Sequence, residues 1–325
     1  MKACAGGAPN PTILPSAGRM DDVSYRDLGR ELSNWGRWGT DDELGTLNLV
    51  TPERRIAAAR SIRHGITLDL SLPLDENGPQ RAVGARGNPV HVMTRLPGAP
   101  AFPGGFQYVD DAMFLHLQAA TQVDALAHVA YDGMLYNGVT LDSITAAGAS
   151  RLGVQNLAGH ITGRGVLLDI PRSQRRTALD PHEPITSEDL ERAEAYAGVT
   201  VGPGDLLLIR TGWLATFTDR RDRETFFSSE PGLALETARW LHERDIAFVG
   251  ADTWGVEVAP SRSGDTMPLH CVLIRDLGMP LGEMFVLDEL GTMAHRLGRA
   301  EFHLSCATLQ VTGGVGTPVS PIVTF

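Results

Sequence analysis

A chain of 325 residues with 42% hydrophobic and 21% charged residues has the composition of a globular protein with a substantial core. Its formal charge of −11 opposes binding to nucleic acid or to an anionic membrane surface, and no run of 18 apolar residues is present to span a bilayer. Cys4, Cys271 and Cys306 are too few and too scattered for a disulfide framework or a C-x-x-C zinc site, which fits a reducing cytoplasm.

In chain order, residues 1–20 are rich in Gly, Ala and Pro and lack the apolar core of a signal peptide, so they are expected to form a flexible leader. Residues 21–325 contain no repeat or low-complexity linker and are expected to form one domain. "TPERRIAAARSIRHG" predicts a helix, with Thr51 as N-cap, Pro52 in the first turn and Gly65 as a left-handed terminator. "ITLDLSL" alternates as a strand does. Residues 75–112, rich in Gly, Pro and Arg, read as a long functional loop or lid.

Further on, "GVLLDI" (165–170) and "DLLLIR" (205–210) predict buried strands. Between them, "TSEDLERAEAYAG" predicts a helix opened by Thr186 and Asp189 at capping-box spacing. "PGLALETARWLHERD" reads as an amphipathic helix with Leu233, Leu235, Ala238 and Leu241 on its apolar face. "IAFVGAD" predicts a strand with Asp252 near its end, "HCVLIRD" a strand beginning at His270, and "FHLSCATLQV" another near the C-terminus. Strands and helices alternate only in the second half, which predicts a mixed α/β fold and not a regular doubly wound sheet.

The chemistry concentrates in residues 118–128, "QAATQVDALAH", where Asp124 and His128 lie four apart. On a helix they share a face, and in an irregular loop they can still converge. Aspartate offers a hard oxygen ligand, and histidine a nitrogen ligand or a base near neutral pH. Spacing alone leaves open a plainer reading, in which Asp124 caps a turn and His128 is a satisfied histidine. His116 and His160 are candidate substitute ligands; in a strand His116 shares the face of Gln118. His91 falls in the loop-rich segment. Tyr131 and Tyr136 are candidate core residues, whereas Trp38, Trp213 and Trp254 sit in turn-like contexts and are candidate pocket walls. "TGGVGTP" (312–318) lacks the strand–loop–Lys context of a phosphate loop and reads as a tight turn, and no G-x-S-x-G elbow is present.

Taken in order, "QAATQVDALAHVAYDGMLYNG", "ADTWGVEVAPS", "PLHCVLIRDLGMPLGE" and "VTGGVGTPVSPI" resemble the bacterial cyclase family, which includes metal-dependent kynurenine formamidases and isatin hydrolases. The similarity runs from about Trp35 to the C-terminus, and "WGTDDELGTLNLVTPER" resembles a long-chain branch. The resemblance implies an α/β fold of the swivelling β/β/α type, a homo-oligomer (dimer or tetramer) and a small-molecule substrate. In that family H-x-G-T-H-x-D-x-P-x-H supplies metal ligands and a final acid/base histidine. A later histidine and glutamate complete a second metal position shared with the aspartate.

Carried over by residue, the resemblance puts the aspartate on Asp124, the acid/base histidine on His128 and the later pair on His270 and Glu283. Gln118 and Gln122 stand where two ligand histidines are expected, Ala120 replaces the glycine and Leu126 the proline. Amide oxygens are weak neutral ligands, which argues against a two-metal site. Asp124, His270 and Glu283 are left to hold a single divalent ion, Mn²⁺ or Zn²⁺. Gln118, Gln122, Thr121, Trp38 and Trp254 are the expected substrate contacts.

The leading expectation is a hydrolase of an amide, lactam or lactone in which His128 and Asp124 are catalytic. The alternatives are a metal-independent cyclase, dehydratase or isomerase, and an inactive small-molecule binding protein.

Overall fold

Four parallel strands carry the centre of the molecule, and their sequences explain why they are central. In the computed structural model, which describes residues 24–81 and 86–325, β5 (Thr162–Asp169), β6 (Leu206–Arg210), β7 (Phe248–Ala251) and β8 (Leu281–Glu283) pair side by side in parallel. Strands buried on both faces read as continuous apolar runs, as "GVLLD" and "LLLIR" do. Antiparallel strands extend the sheet on both sides. Using β1 (Thr67–Asp69), β4 (Gln122–Asp124), β9 (Glu301–Ser305), β10 (Gly316–Pro318) and β11 (Ile322–Thr324), the order is β1-β11-β9-β5-β6-β7-β8-β4-β10. The expected leader and Cys4 lie outside the described residues. Cys271 and Cys306 are buried free thiols.

Period-two alternation splits the core into two layers. Val166, Leu168, Leu207 and Val249 face one layer, and Leu167, Leu206, Leu208 and Phe248 face the other. The first layer is covered by α1 (Tyr25–Leu32), α3 (Ser187–Ala197), α4 (Thr237–Glu243) and a helical segment over 268–277. The second packs on α6 (Asp288–Leu297) and on the antiparallel end of the sheet. The mixed α/β architecture matches the expectation from sequence. Among the described residues, no helix is long and apolar enough to cross a membrane.

Several local expectations hold. Thr51 caps α2 (Pro52–Arg60), accepting from the Arg54 N–H, and Thr186 with Asp189 forms the reciprocal capping box of α3. Others are corrected. The α2 helix stops at Arg60, short of the left-handed Gly65. The helix read over "PGLALETARWLHERD" begins only at Thr237, because Gly232–Leu233 pairs in parallel with Pro184–Ile185.

Within 75–112 the expected loop is in part a hairpin, β2 (Val90–Arg95) against β3 (Asp110–Phe114). Its strands bury no face, so the sequence lacks the polar-out alternation that marks a strand.

The largest correction concerns "HCVLIRD", which is helical and not a strand. Its α turn (Pro268–His270), here α5, runs on into a π turn (Cys271–Leu277). A short apolar run buried on all sides does not distinguish strand from helix by periodicity. Here Pro268 at the first position and a carboxylate over the first N–H groups decide for helix.

Gly165 lies in the middle of β5, directly opposite Phe302 on β9, and a Cβ there would overlap the Phe302 ring. Gly165→Ala is therefore expected to cost about 1–3 kcal/mol by overpacking, read as a lower melting temperature in calorimetry with unchanged secondary structure.

Candidate active site

Three side chains of the site follow from one strand register. Gln122 stands opposite Glu283 in the antiparallel pair β4–β8, and Asp124 lies two residues further along β4. Directly opposed residues and residues two apart share a face, so Gln122, Asp124 and Glu283 converge without further help. Asp124 is thus on a strand, and His128 lies in the turn after it, with its Nε2 3.6 Å from Asp124 Oδ1.

His270 reaches the same point from α5. The Glu257 carboxylate accepts the N–H of Leu269 at 3.0 Å, the N–H of His270 at 2.8 Å, and meets His270 Nδ1 at 2.7 Å. With Nδ1 committed to Glu257, Nε2 is aimed at Glu283, 3.2 Å away. Asp124, His270 and Glu283 each offer a ligand atom within 4.8 Å of the others, and all three are buried. Among the described residues this is the one group of three or more metal-ligating side chains so arranged.

Burial dominates the electrostatics. It pushes the Asp124 carboxyl well above the usual range, and the neighbouring Glu283 charge adds to the effect. Burial lowers His128 to about 4, although Glu283 opposes the shift, so this imidazole is neutral near pH 7. Burial would also lower His270, but its hydrogen bonds to Glu257 and Glu283 outweigh that and push it up to about 10. Glu230, fully buried, is pushed well above its usual range by burial and by Glu283. One of its oxygens accepts the Trp254 N–H at 2.7 Å.

The residues present fit a single divalent cation. Asp124 Oδ1 is buried without a hydrogen-bond partner among the described residues, as is Gln122 Oε1. Two carboxylates and an imidazole whose far nitrogen is held by a third carboxylate form a donor set suited to Mn²⁺ or Zn²⁺. Gln122 Nε2 donates to Glu283 Oε2, so one oxygen of that carboxylate is already engaged.

A cavity of about 360 Å³ opens onto these groups, lined in part by Arg86, His128, Trp254, Met267, His270 and Glu283. A larger cavity of about 590 Å³, between Leu72–Pro79 and the 217–223 segment, contains none of them. Titratable groups converging in a cleft make the smaller one the candidate site.

The remaining sequence candidates divide. Gln118 is buried beside the site, its Nε2 without a partner among the described residues, in space left by Gly316 on β10. The "TGGVGTP" segment is a turn running into that strand. Thr121 is turned to structure: its hydroxyl donates to the Met284 carbonyl at 2.6 Å and accepts the Leu72 N–H at 2.8 Å. Trp38 lies off the cavity wall, under the Arg37 guanidinium, and Trp213 is core, donating to the Phe226 carbonyl. Tyr136 is core, and Tyr131 is half-buried with its hydroxyl on Asp276. Asp252 binds the Thr211 and Gly212 N–H groups. His91 pairs with Asp111 on the hairpin, His160 sits beside Arg55, and His116 is half-buried near Gly87.

Sequence reasoning passed over Glu257, Glu230 and Arg86. Glu257 was visible within "ADTWGVEVAPS", but its partner lies thirteen residues away across a chain reversal.

Comparison with known proteins agrees with this architecture. A crystal structure described as a novel cyclase shares 38% identity over 90% of this chain and 99% of its own, with a TM-score of 0.84. Isatin hydrolase A from Ralstonia solanacearum superposes with a TM-score of 0.58 at 19% identity, over 84% of this chain and 97% of its own. A structure described as a potential metal-dependent hydrolase with cyclase activity gives 0.52 at 17% identity, over 79% and 98%. These last two speak to the fold alone. No curated protein matches. Residues 68–258 match the Cyclase family model, and with the 38% identical relative this shows that the chain belongs to the Cyclase family.

Proposed function

We propose that this chain hydrolyses an amide, lactam or lactone bond of a small molecule, with one divalent metal held by Asp124, His270 and Glu283. The observation that carries the reading is the partnerless Asp124 Oδ1 beside a histidine whose other nitrogen is fixed by Glu257. A cation there would act as a Lewis acid on the substrate carbonyl. His128, neutral near pH 7, accepts a proton from water as its oxygen attacks the carbonyl carbon. It returns that proton to the departing nitrogen or oxygen as the C–N or C–O bond breaks. Asp124, 3.6 Å away, orients the imidazole and stabilises it while it carries the proton. Trp254 presents a flat wall to a planar substrate, and Arg86 brings positive charge to the cavity, opposite in sign to the Glu283 carboxylate in its lining.

A second reading rests on the His270 proton. Without a cation, Glu257 and Glu283 already bracket a protonated His270, a self-compensated arrangement compatible with metal-independent ring closure, dehydration or isomerisation.

Elemental analysis of the purified protein, with activity on formanilides and simple lactones, separates these readings. Glu283→Ala is expected to lose both metal and activity. His128→Ala is expected to keep the metal and lose about 10²–10⁴ in kcat. A metal-free protein that turns over a cyclisable substrate, with loss in His128→Ala, would overturn the hydrolase reading. Ligand-dependent melting shifts without turnover of any candidate would point to a binding protein.

The proton inventory gives a separate test. His270, pushed up to about 10, holds a proton at neutral pH in the metal-free site, and burial shifts Asp124 in the same direction. Cation binding needs the His270 nitrogen deprotonated, so at least that proton must leave and affinity must rise with pH. Each displaced proton steepens the dependence by about tenfold per pH unit. Calorimetric titration of metal-stripped protein in buffers of different ionisation enthalpy is expected to show net proton release. An affinity independent of pH would contradict the ligand assignment.

A further inference from the structure

Arg86 reaches the candidate site through a tied segment of chain. Asn88 Oδ1 accepts the Gln80 N–H at 2.8 Å, and Asn88 Nδ2 donates to the Gln80 carbonyl at 3.1 Å. The buried Gln80 side chain in turn donates to the Ala119 carbonyl at 2.8 Å, three residues before Gln122. Asn88 is thereby fixed to the approach of β4, and Arg86, two residues before it, lies on the cavity wall.

The charge that arrives there is uncompensated. Arg86 is half-buried, and among the described residues its guanidinium has no carboxylate, carbonyl or aromatic ring as a partner. Residues 82–85, Ala-Val-Gly-Ala, bring no acidic side chain. Elsewhere Arg164, Arg210 and Arg275, all buried or half-buried, meet carboxylates at 2.5–2.9 Å. Taking a charge out of water without a partner is costly, so an unpaired guanidinium in a cleft points to a ligand that pairs it. Its positive charge is felt at Asp124 and His128, yet it forms an ion pair with neither. A divalent ion on Asp124 and Glu283 would neutralise those two carboxylates and leave Arg86 without a counter-charge. The indole N–H of Trp254, on the same lining, also lacks a partner among the described residues.

We propose that Arg86 is the specificity-determining residue of this cavity and takes a carboxylate that the substrate carries in addition to its scissile amide or ester bond. The reaction rests on the hydrolase reading above; the binding does not. A guanidinium presents a planar fork of N–H donors that matches a carboxylate with two parallel hydrogen bonds. A single negative charge balances the arginine, whereas a phosphate dianion would set a second charge against Glu283. The volume of about 360 Å³ is at the small end for a ligand site, so carboxylate and scissile carbonyl must be few bonds apart. Val129, Ala130, Met267 and Trp254 supply apolar wall, which suits an aryl body between them. The carboxylate is a spectator: water adds to the other carbonyl, the C–N or C–O bond breaks, and the anion leaves unchanged.

Binding is tested without turnover. Calorimetric titration of the full chain with benzoate, phenylacetate and phenylpropionate, each against its own primary amide, is expected to show at least one acid binding about tenfold to a hundredfold more tightly than its amide. Arg86→Gln is expected to remove that preference. Acids that bind no better than their amides at millimolar concentration would overturn the assignment, and so would a preference that survives in Arg86→Gln. Should the variant fail to fold, the wild-type comparison of acid with amide decides alone.

Turnover gives the second arm. Among the ortho, meta and para formamidobenzoates, at least one is expected to exceed formanilide about tenfold or more in kcat/KM, chiefly through KM, and the ratio to collapse toward one in Arg86→Gln. Hydrolysis of formanilide with no gain from any carboxylate isomer would overturn the inference and leave the hydrolase reading standing. Carboxylate binding that depends on Arg86, with no hydrolysis of any of these compounds, would sink the hydrolase reading and leave the role of Arg86 standing.

Discussion

The placement of His270 in the site depends on the Glu257 carboxylate. It accepts two backbone N–H groups at the start of α5 and pairs with the His270 ring, so one side chain starts the helix and aims its histidine. The backbone donors are the unsatisfied groups that every helix start exposes, and a carboxylate is their most favourable partner. The same contact fixes which imidazole nitrogen faces Asp124 and Glu283. Removing Glu257 would therefore disturb secondary structure, tautomer and charge at once.

Much of the architecture was legible because it obeys simple periodicities. The parallel strands announced themselves as apolar runs, and α3 through its Thr186–Asp189 box. Three failures share one cause. The segments 232–236, 268–277 and 90–114 take their conformation from partners distant in sequence, or lack a buried face altogether. Asp124 and His128 could be picked out, yet spacing could not say that one ends a strand and the other follows in a turn. Trp38 and Thr121 show the reverse: polar or aromatic character near a motif does not place a side chain in the cavity, and their contacts point elsewhere.

Charge balance ties the site to its surroundings. Four acidic side chains, Asp124, Glu230, Glu257 and Glu283, are fully or nearly fully buried within one neighbourhood, served by His270 and half-buried Arg86. Burial on that scale is tolerated only if some carboxyls stay protonated or a cation joins them. The raised Asp124 and Glu230 and the raised His270 describe the first solution. The partnerless Asp124 oxygen leaves room for the second.

The position of β4 in the sheet order has a further consequence. It is three residues long, has only β10 between it and the open edge, and shares its other side with the three-residue β8. The long strands β5 and β6 lie in the middle of the strand order, deep between the two core layers. The longest strands thus stand at the centre of one hydrogen-bonded array, and the candidate site near its margin. The margin that carries the candidate site can loosen and re-form while the centre holds, and sequence change there can retune the pocket without endangering the fold.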